Sequence, residues 1–150
     1  MRTTSVSARA AAAGAVIVVG LLLGVSGCAA HPTDALSKLA HLDDGTAPSA
    51  ELDPPVVPGV DDAILPTSLR LLTEADDHAF WVGATRDDRV CFIAEGTDGT
   101  RARCLDADRF GGSGARLYLG SPERTYWLHT EYMTVDPGWT SLSSNIAVQD

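Results

Sequence analysis

The chain has 150 residues, 11 Lys+Arg against 20 Asp+Glu, and a formal net charge of −9. That length accommodates one modest domain with appendages, not two large ones. An acidic balance with a single lysine, Lys38, argues against a nucleic-acid binder, which needs a basic face, and against an electrostatic grip on anionic lipid.

The first 27 residues read as an address. Arg2 and Arg9 give a positive start, and no acidic residue precedes Asp34. An apolar run follows from Ala10 to Val25, centred on Val16–Leu23, and the small residues Ser26 and Gly27 close it before Cys28. Basic, apolar and small-residue regions in that order are the layout of a secretory signal. The competing reading is a single transmembrane helix. The run is about 16 residues, short of the roughly 20 needed to span, and no basic stop-transfer cluster follows.

Val25-Ser26-Gly27-Cys28 resembles a bacterial lipobox: an apolar residue, two small ones, then cysteine. The resemblance implies cleavage before Cys28, diacylglycerol on its sulfur and attachment to the outer face of a cell membrane. Acyl chains bury methylenes at about 0.8 kcal/mol each, so two signals of this kind anchor without a protein span. Together with the Ala-rich, Arg-over-Lys composition, the signal and Cys28 are similar to those of actinobacterial secreted lipoproteins. Removal of Arg2 and Arg9 leaves 9 basic and 20 acidic residues, a formal charge of −11.

Residues 28–66 read as a tether. All nine aromatic residues lie between Phe80 and Trp139, whereas six of the eight prolines lie between Pro32 and Pro66. Lys38 stands against seven acids in residues 31–66, a charge of −6, and such a segment is expected to stay disordered. Asp53-Pro54-Pro55-Val56-Val57-Pro58-Gly59 favours extended polyproline-type backbone, and Thr33–Ala40 suits a short helix capped by Thr33. The alternative is that part of the segment, Ile64-Leu65 above all, docks on the domain as an extra strand.

From residue 67 short apolar runs alternate with turn residues, which predicts an all-β domain, an antiparallel sandwich or partly open barrel, over 67–150. The expected strands are Leu69–Thr73, Ala79–Thr85, Arg89–Glu95, Thr100–Leu105, Arg116–Leu119, Thr125–Val135 and Ser144–Val148. Asp87-Asp88, Gly96–Gly99, Gly111–Gly114, Ser121-Pro122 and Asp136-Pro137-Gly138 punctuate them.

A four-residue loop over Gly96–Gly99 pairs Glu95 with Thr100, and counting outward sets Cys91 opposite Cys104. Directly opposed positions suit a disulfide, and an oxidising compartment favours its formation. The alternative, a redox pair, fits poorly because the spacing is Cys-x12-Cys rather than Cys-x-x-Cys.

His129-Thr130-Glu131 is the best metal-like pair, since alternate strand residues share a face; a zinc site needs further ligands, from His78 or from Asp76-Asp77. Asp106-Ala107-Asp108 lacks the following oxygens of a calcium loop, and Phe110 and Leu117 occupy their places, so a capped turn is expected. Gly111-Gly112-Ser113-Gly114-Ala115 looks like a nucleophile elbow but precedes a strand rather than a helix, which puts Ser113 in a loop. In Phe80-Trp81 and Tyr126-Trp127, one ring of each pair enters the core and the other is covered or exposed. An exposed ring beside Arg101 and Arg103 makes a recognition surface.

These residues lead to a non-catalytic, membrane-anchored extracytoplasmic module, without a cofactor, that binds a protein or envelope component. The alternative is a small envelope hydrolase or metal-binding protein using His129 and Glu131.

Overall fold

The computed structural model describes residues 36–39, 42, 45–50, 52–57, 59 and 63–150. The expected signal region 1–27, Cys28 and the Thr33 cap lie outside the described residues. Two four-stranded antiparallel sheets make an all-β sandwich. The first sheet runs β1 (Arg70–Ala75), β2 (His78–Ala84), β3 (Arg89–Gly96), β4 (Gly99–Asp106), in that spatial order. A short helix α1 (Ala107–Ser113) crosses to the second sheet. Its strands are β5 (Ala115–Leu119), β6 (Arg124–Leu128), β7 (Thr140–Ser141) and β8 (Ile146–Gln149), ordered β5-β6-β8-β7.

Period-two alternation builds the core. Phe80, Val82 and Ala84 of β2, with Val90, Phe92 and Ala94 of β3, face Leu117, Leu119, Tyr126, Leu128, Ile146 and Val148 of the other sheet. Phe80 lies between Phe92 and Tyr126, at ring-centroid distances of 5.9 and 4.8 Å. Such aromatic packing adds to the free energy of area burial alone.

The reverse face of the first sheet is also covered. Trp81, Cys91 and Ile93 point away from the sandwich and are buried beneath Val57, Ile64 and Leu69. Ile64 forms an isolated bridge with Thr85, and Thr46 forms one with Leu71. Gly83 makes room for this layer, because a Cβ there would sit 2.9 Å from Leu69 Cδ2. Leu36 and Leu39 join the main core. The docked alternative thus describes these residues of the Pro-rich, acidic segment, whose composition had suggested a spacer. Within the expected Thr33–Ala40 helix, the described backbone is a 3-10 turn, Leu36–Lys38.

Two further expectations are corrected. Gly111–Gly114 is not a simple loop: α1 occupies Ala107–Ser113, held by buried Phe110 despite its two glycines. The long strand expected over Thr125–Val135 stops at Leu128, because its partner β8 begins at Ile146. Beyond it, Asn145 Nδ2 donates to the His129 carbonyl at 3.2 Å, and the Met133 N–H turns back to the Thr130 carbonyl.

Candidate binding surface

The β3–β4 hairpin carries the register expected from counting. Glu95 pairs with Thr100, Ala94 with Arg101, Phe92 with Arg103, and Cys91 with Cys104. The ladder continues to Gly96 and Gly99, leaving Thr97-Asp98 as the turn. Cys91 and Cys104 form a disulfide across a Cα separation of 4.0 Å. Cys91 is buried beneath Val57 and Ile64, so the bond staples the hairpin where the third layer packs.

The two residues of the metal-like pair part company. His129 is 5% exposed, with its ring 5.0 Å from Trp127 and Nδ1 3.1 Å from the Thr130 carbonyl. Glu131 lies in an exposed turn and holds Tyr132, raising its phenol pKa through a hydrogen bond. His78 sits elsewhere, at the β1–β2 turn, with Nδ1 2.7 Å from the Asp76 carbonyl and Nε2 3.4 Å from Asp98. Among the described residues no three His, Cys, Asp or Glu side chains converge as a metal shell.

The other motifs resolve into local structure. Asp106 stands at the N-cap position of α1, its carboxylate 3.8 Å from Arg89 Nε. The Ser113 hydroxyl donates to the Arg109 carbonyl at 3.1 Å, a back-bond within the helix rather than a poised nucleophile. Gly114 takes φ +65°, and a Cβ there would collide with the Leu128 carbonyl and the Trp127 indole. That close approach lets Trp127 Nε1 donate to the Ser113 carbonyl at 3.0 Å.

Asp76 and Asp77 form the two-residue β1–β2 turn, with φ of 51° and 60°. Short Asx side chains tolerate this region better than other non-glycine residues do. The turn brings the Asp76 carboxylate to the second sheet, where Arg124 Nη1 donates at 2.7 Å and the Tyr126 hydroxyl at 2.9 Å. Arg124 Nε also donates to Asp150 at 2.6 Å, raising the guanidinium pKa. Burial, together with the hydrogen bond to Asp76, pushes the Tyr126 phenol up to about 12. These bonds tie the β1–β2 turn to the second sheet and act as a clamp between the sheets.

The aromatic pairs divide as alternation requires: Phe80 and Tyr126 enter the core, while Trp81 is covered by the third layer. Trp127 lies on the outer face of the second sheet, in the row Arg116, Trp127, Ala147, Ser141; the next row is Tyr118, Thr125, Gln149. The Arg116 guanidinium carbon lies 5.6 Å from the Trp127 ring centroid and 5.7 Å from that of Trp139. The two indoles are 5.4 Å apart.

Arg116 and Tyr118 also line an open groove of about 480 Å³ between β4 and β5. Arg101 and Arg103 form its other wall, and Glu123 stands at its margin. Tyr118 is 49% exposed. Phe80, Trp81, Tyr126 and Trp127 are all buried, so the surface expected from one of them beside Arg101 and Arg103 does not form; the two arginines instead share a groove with Arg116 and the exposed Tyr118. Neither was singled out in sequence, because Arg116 and Arg103 become neighbours only through the α1 crossover.

Groove and clamp sit on a small antiparallel β-sandwich. No protein-family model, curated protein or solved structure matches the chain. Among the described residues, no helix is long and apolar enough to cross a membrane.

Proposed function

We propose that the chain is an extracytoplasmic lipoprotein, anchored through diacylglycerol on Cys28, whose sandwich is a non-catalytic binding module at the cell envelope. The Val25-Ser26-Gly27-Cys28 motif behind an apolar run supports the anchor. The single observation that carries the compartment is the Cys91–Cys104 disulfide, a bond that persists in oxidising surroundings and suits a small exported domain. The binding role rests on the groove between β4 and β5, where guanidinium groups and an aromatic ring share one accessible surface. An acidic body held by lipid stands off from an anionic bilayer, leaving that surface available.

Replacement of Cys28→Ser tests the reading by membrane fractionation and labelling with a radioactive fatty acid. Loss of label together with release from the membrane fraction is expected. Unchanged retention without label would mean that the apolar run is an uncleaved helix, and the anchor would have to be withdrawn.

A further inference from the structure

Arg101, Arg103 and Arg116 gather around one groove of this acidic chain. Arg89 and Arg124 meet carboxylates, and Arg70 donates to the Thr67 and Leu69 carbonyls. The three groove arginines have no carboxylate within salt-bridge distance among the described residues, although Glu123 borders the same groove. Apart from Glu123, described acids such as Glu74, Asp76, Asp77 and Glu95 gather around a separate pocket at the turn end of the first sheet. At physiological salt the Debye length is about 8 Å, so distant acids scarcely offset three local cations.

The geometry supplies spacing as well as charge. Arg101 and Arg103 are alternate residues of β4, placing their Cα atoms roughly 6.5–7 Å apart along one wall. Arg116 borders the same groove from β5, its guanidinium held against two indoles and therefore partly ordered before any ligand arrives. Tyr118 offers a ring face beside it, and Thr125 and Gln149 continue its row with neutral hydrogen-bonding groups. Guanidinium groups bind carboxylate or phosphate through paired N–H donors. Ring faces and neutral amides suit hydroxylated sugar rings better than the alternating apolar side chains of a peptide strand.

We propose that the β4–β5 groove binds an anionic carbohydrate polymer, with Arg101, Arg103 and Arg116 on its carboxylate or phosphate groups and Tyr118 stacked on a sugar ring. This names the ligand class for the binding module proposed above and rests on that reading for the compartment in which the polymer is met. Uronate and sugar-phosphate polymers share the chemistry that the groove recognises.

The test uses the native protein purified from its producing cells, titrated with polygalacturonate and, separately, with a phosphomannan, at two salt concentrations. Dextran, polyglutamate and a thymidine oligonucleotide serve as comparison polymers. Trp127 and Trp139 flank Arg116, so binding should change tryptophan emission, and Trp139→Phe should diminish that signal. Saturable, salt-weakened binding of either acidic polymer is expected, polygalacturonate alone identifying carboxylate and phosphomannan alone identifying phosphate. Arg103→Ala and Arg116→Ala should each weaken binding about tenfold or more. Arg116→Lys, which keeps charge but loses the planar fork, should recover only part of it.

Equal binding of polyglutamate or the oligonucleotide would overturn the proposal in favour of unspecific charge attraction. No binding at all would leave the arginines as guards of an open sheet edge, and the proposal would fall. Such a failure with Cys28-dependent membrane retention intact sinks the ligand assignment alone. Specific binding by a protein that is not exported sinks the envelope reading alone.

Discussion

Asp76 shows how one residue couples backbone to chemistry. Its left-handed φ closes the β1–β2 turn, and its carboxylate then receives both Arg124 and Tyr126 from the opposite sheet. An ionised phenol in that position would face the carboxylate in a buried setting, so the folded protein holds Tyr126 neutral up to about 12, against an ordinary value of 10.0. The unfolded chain releases this proton first as pH rises. Stability from the raised pKa is complete below about pH 10 and is lost towards pH 12, by about 2–3 kcal/mol. In urea titrations across that window, Tyr126→Phe should show a flatter decline than the unmodified protein. Parallel declines would remove Tyr126 as the titrating group. Little of this was visible beforehand: Asp76 and Tyr126 are 50 positions apart, and nothing local marks them as partners. His129 teaches the converse, since its alternation with Glu131 would share a face only on a strand, and β6 ends at Leu128.

At the scale of elements, the β3–β4 hairpin was the most legible part of the chain. Turn residues fixed its midpoint, and strand geometry then determined every pair out to Cys91–Cys104. The bond closes a loop across 13 positions, worth about 3 kcal/mol in the chain-entropy account. Urea unfolding with and without reductant should differ by that order at unchanged protein concentration. A Cys91→Ser, Cys104→Ser double variant should match the reduced form. Coincident midpoints for oxidised and reduced protein would show that the staple adds nothing. Helix α1 was illegible for the opposite reason. Gly111 and Gly112 weaken local helix preference, and only the burial of Phe110 against the core outweighs them. The two-residue strand β7 was likewise unmarked, because its pairing with β8 supplies most of its definition.

For the whole molecule, the third layer is the main departure from composition. Val57, Ile64 and Leu69 cover Trp81, Cys91 and Ile93, converting a two-layer sandwich into one with both faces of its first sheet buried. Ile64→Asp would bury a carboxylate without a partner or peel the layer away. Either outcome costs about 3 kcal/mol or more. The expected readouts are a lower urea midpoint and a red shift of Trp81 emission in a Trp127→Phe, Trp139→Phe background. Unchanged stability would mean that Val57, Ile64 and Leu69 contribute no cover to the sheet.

Local features of the chain were enough to establish an all-β domain, most of its strands and the pairing of its two bonded cysteines, because side-chain alternation and turn chemistry act over a few residues. Only tertiary packing recruited isolated apolar residues such as Val57 and Ile64 from a proline-rich, acidic stretch, since single buried contacts leave no periodic trace. It alone also set Arg116 and Tyr118 opposite Arg101 and Arg103: their meeting depends on where α1 carries the chain between two sheets, a choice made by the burial of Phe110.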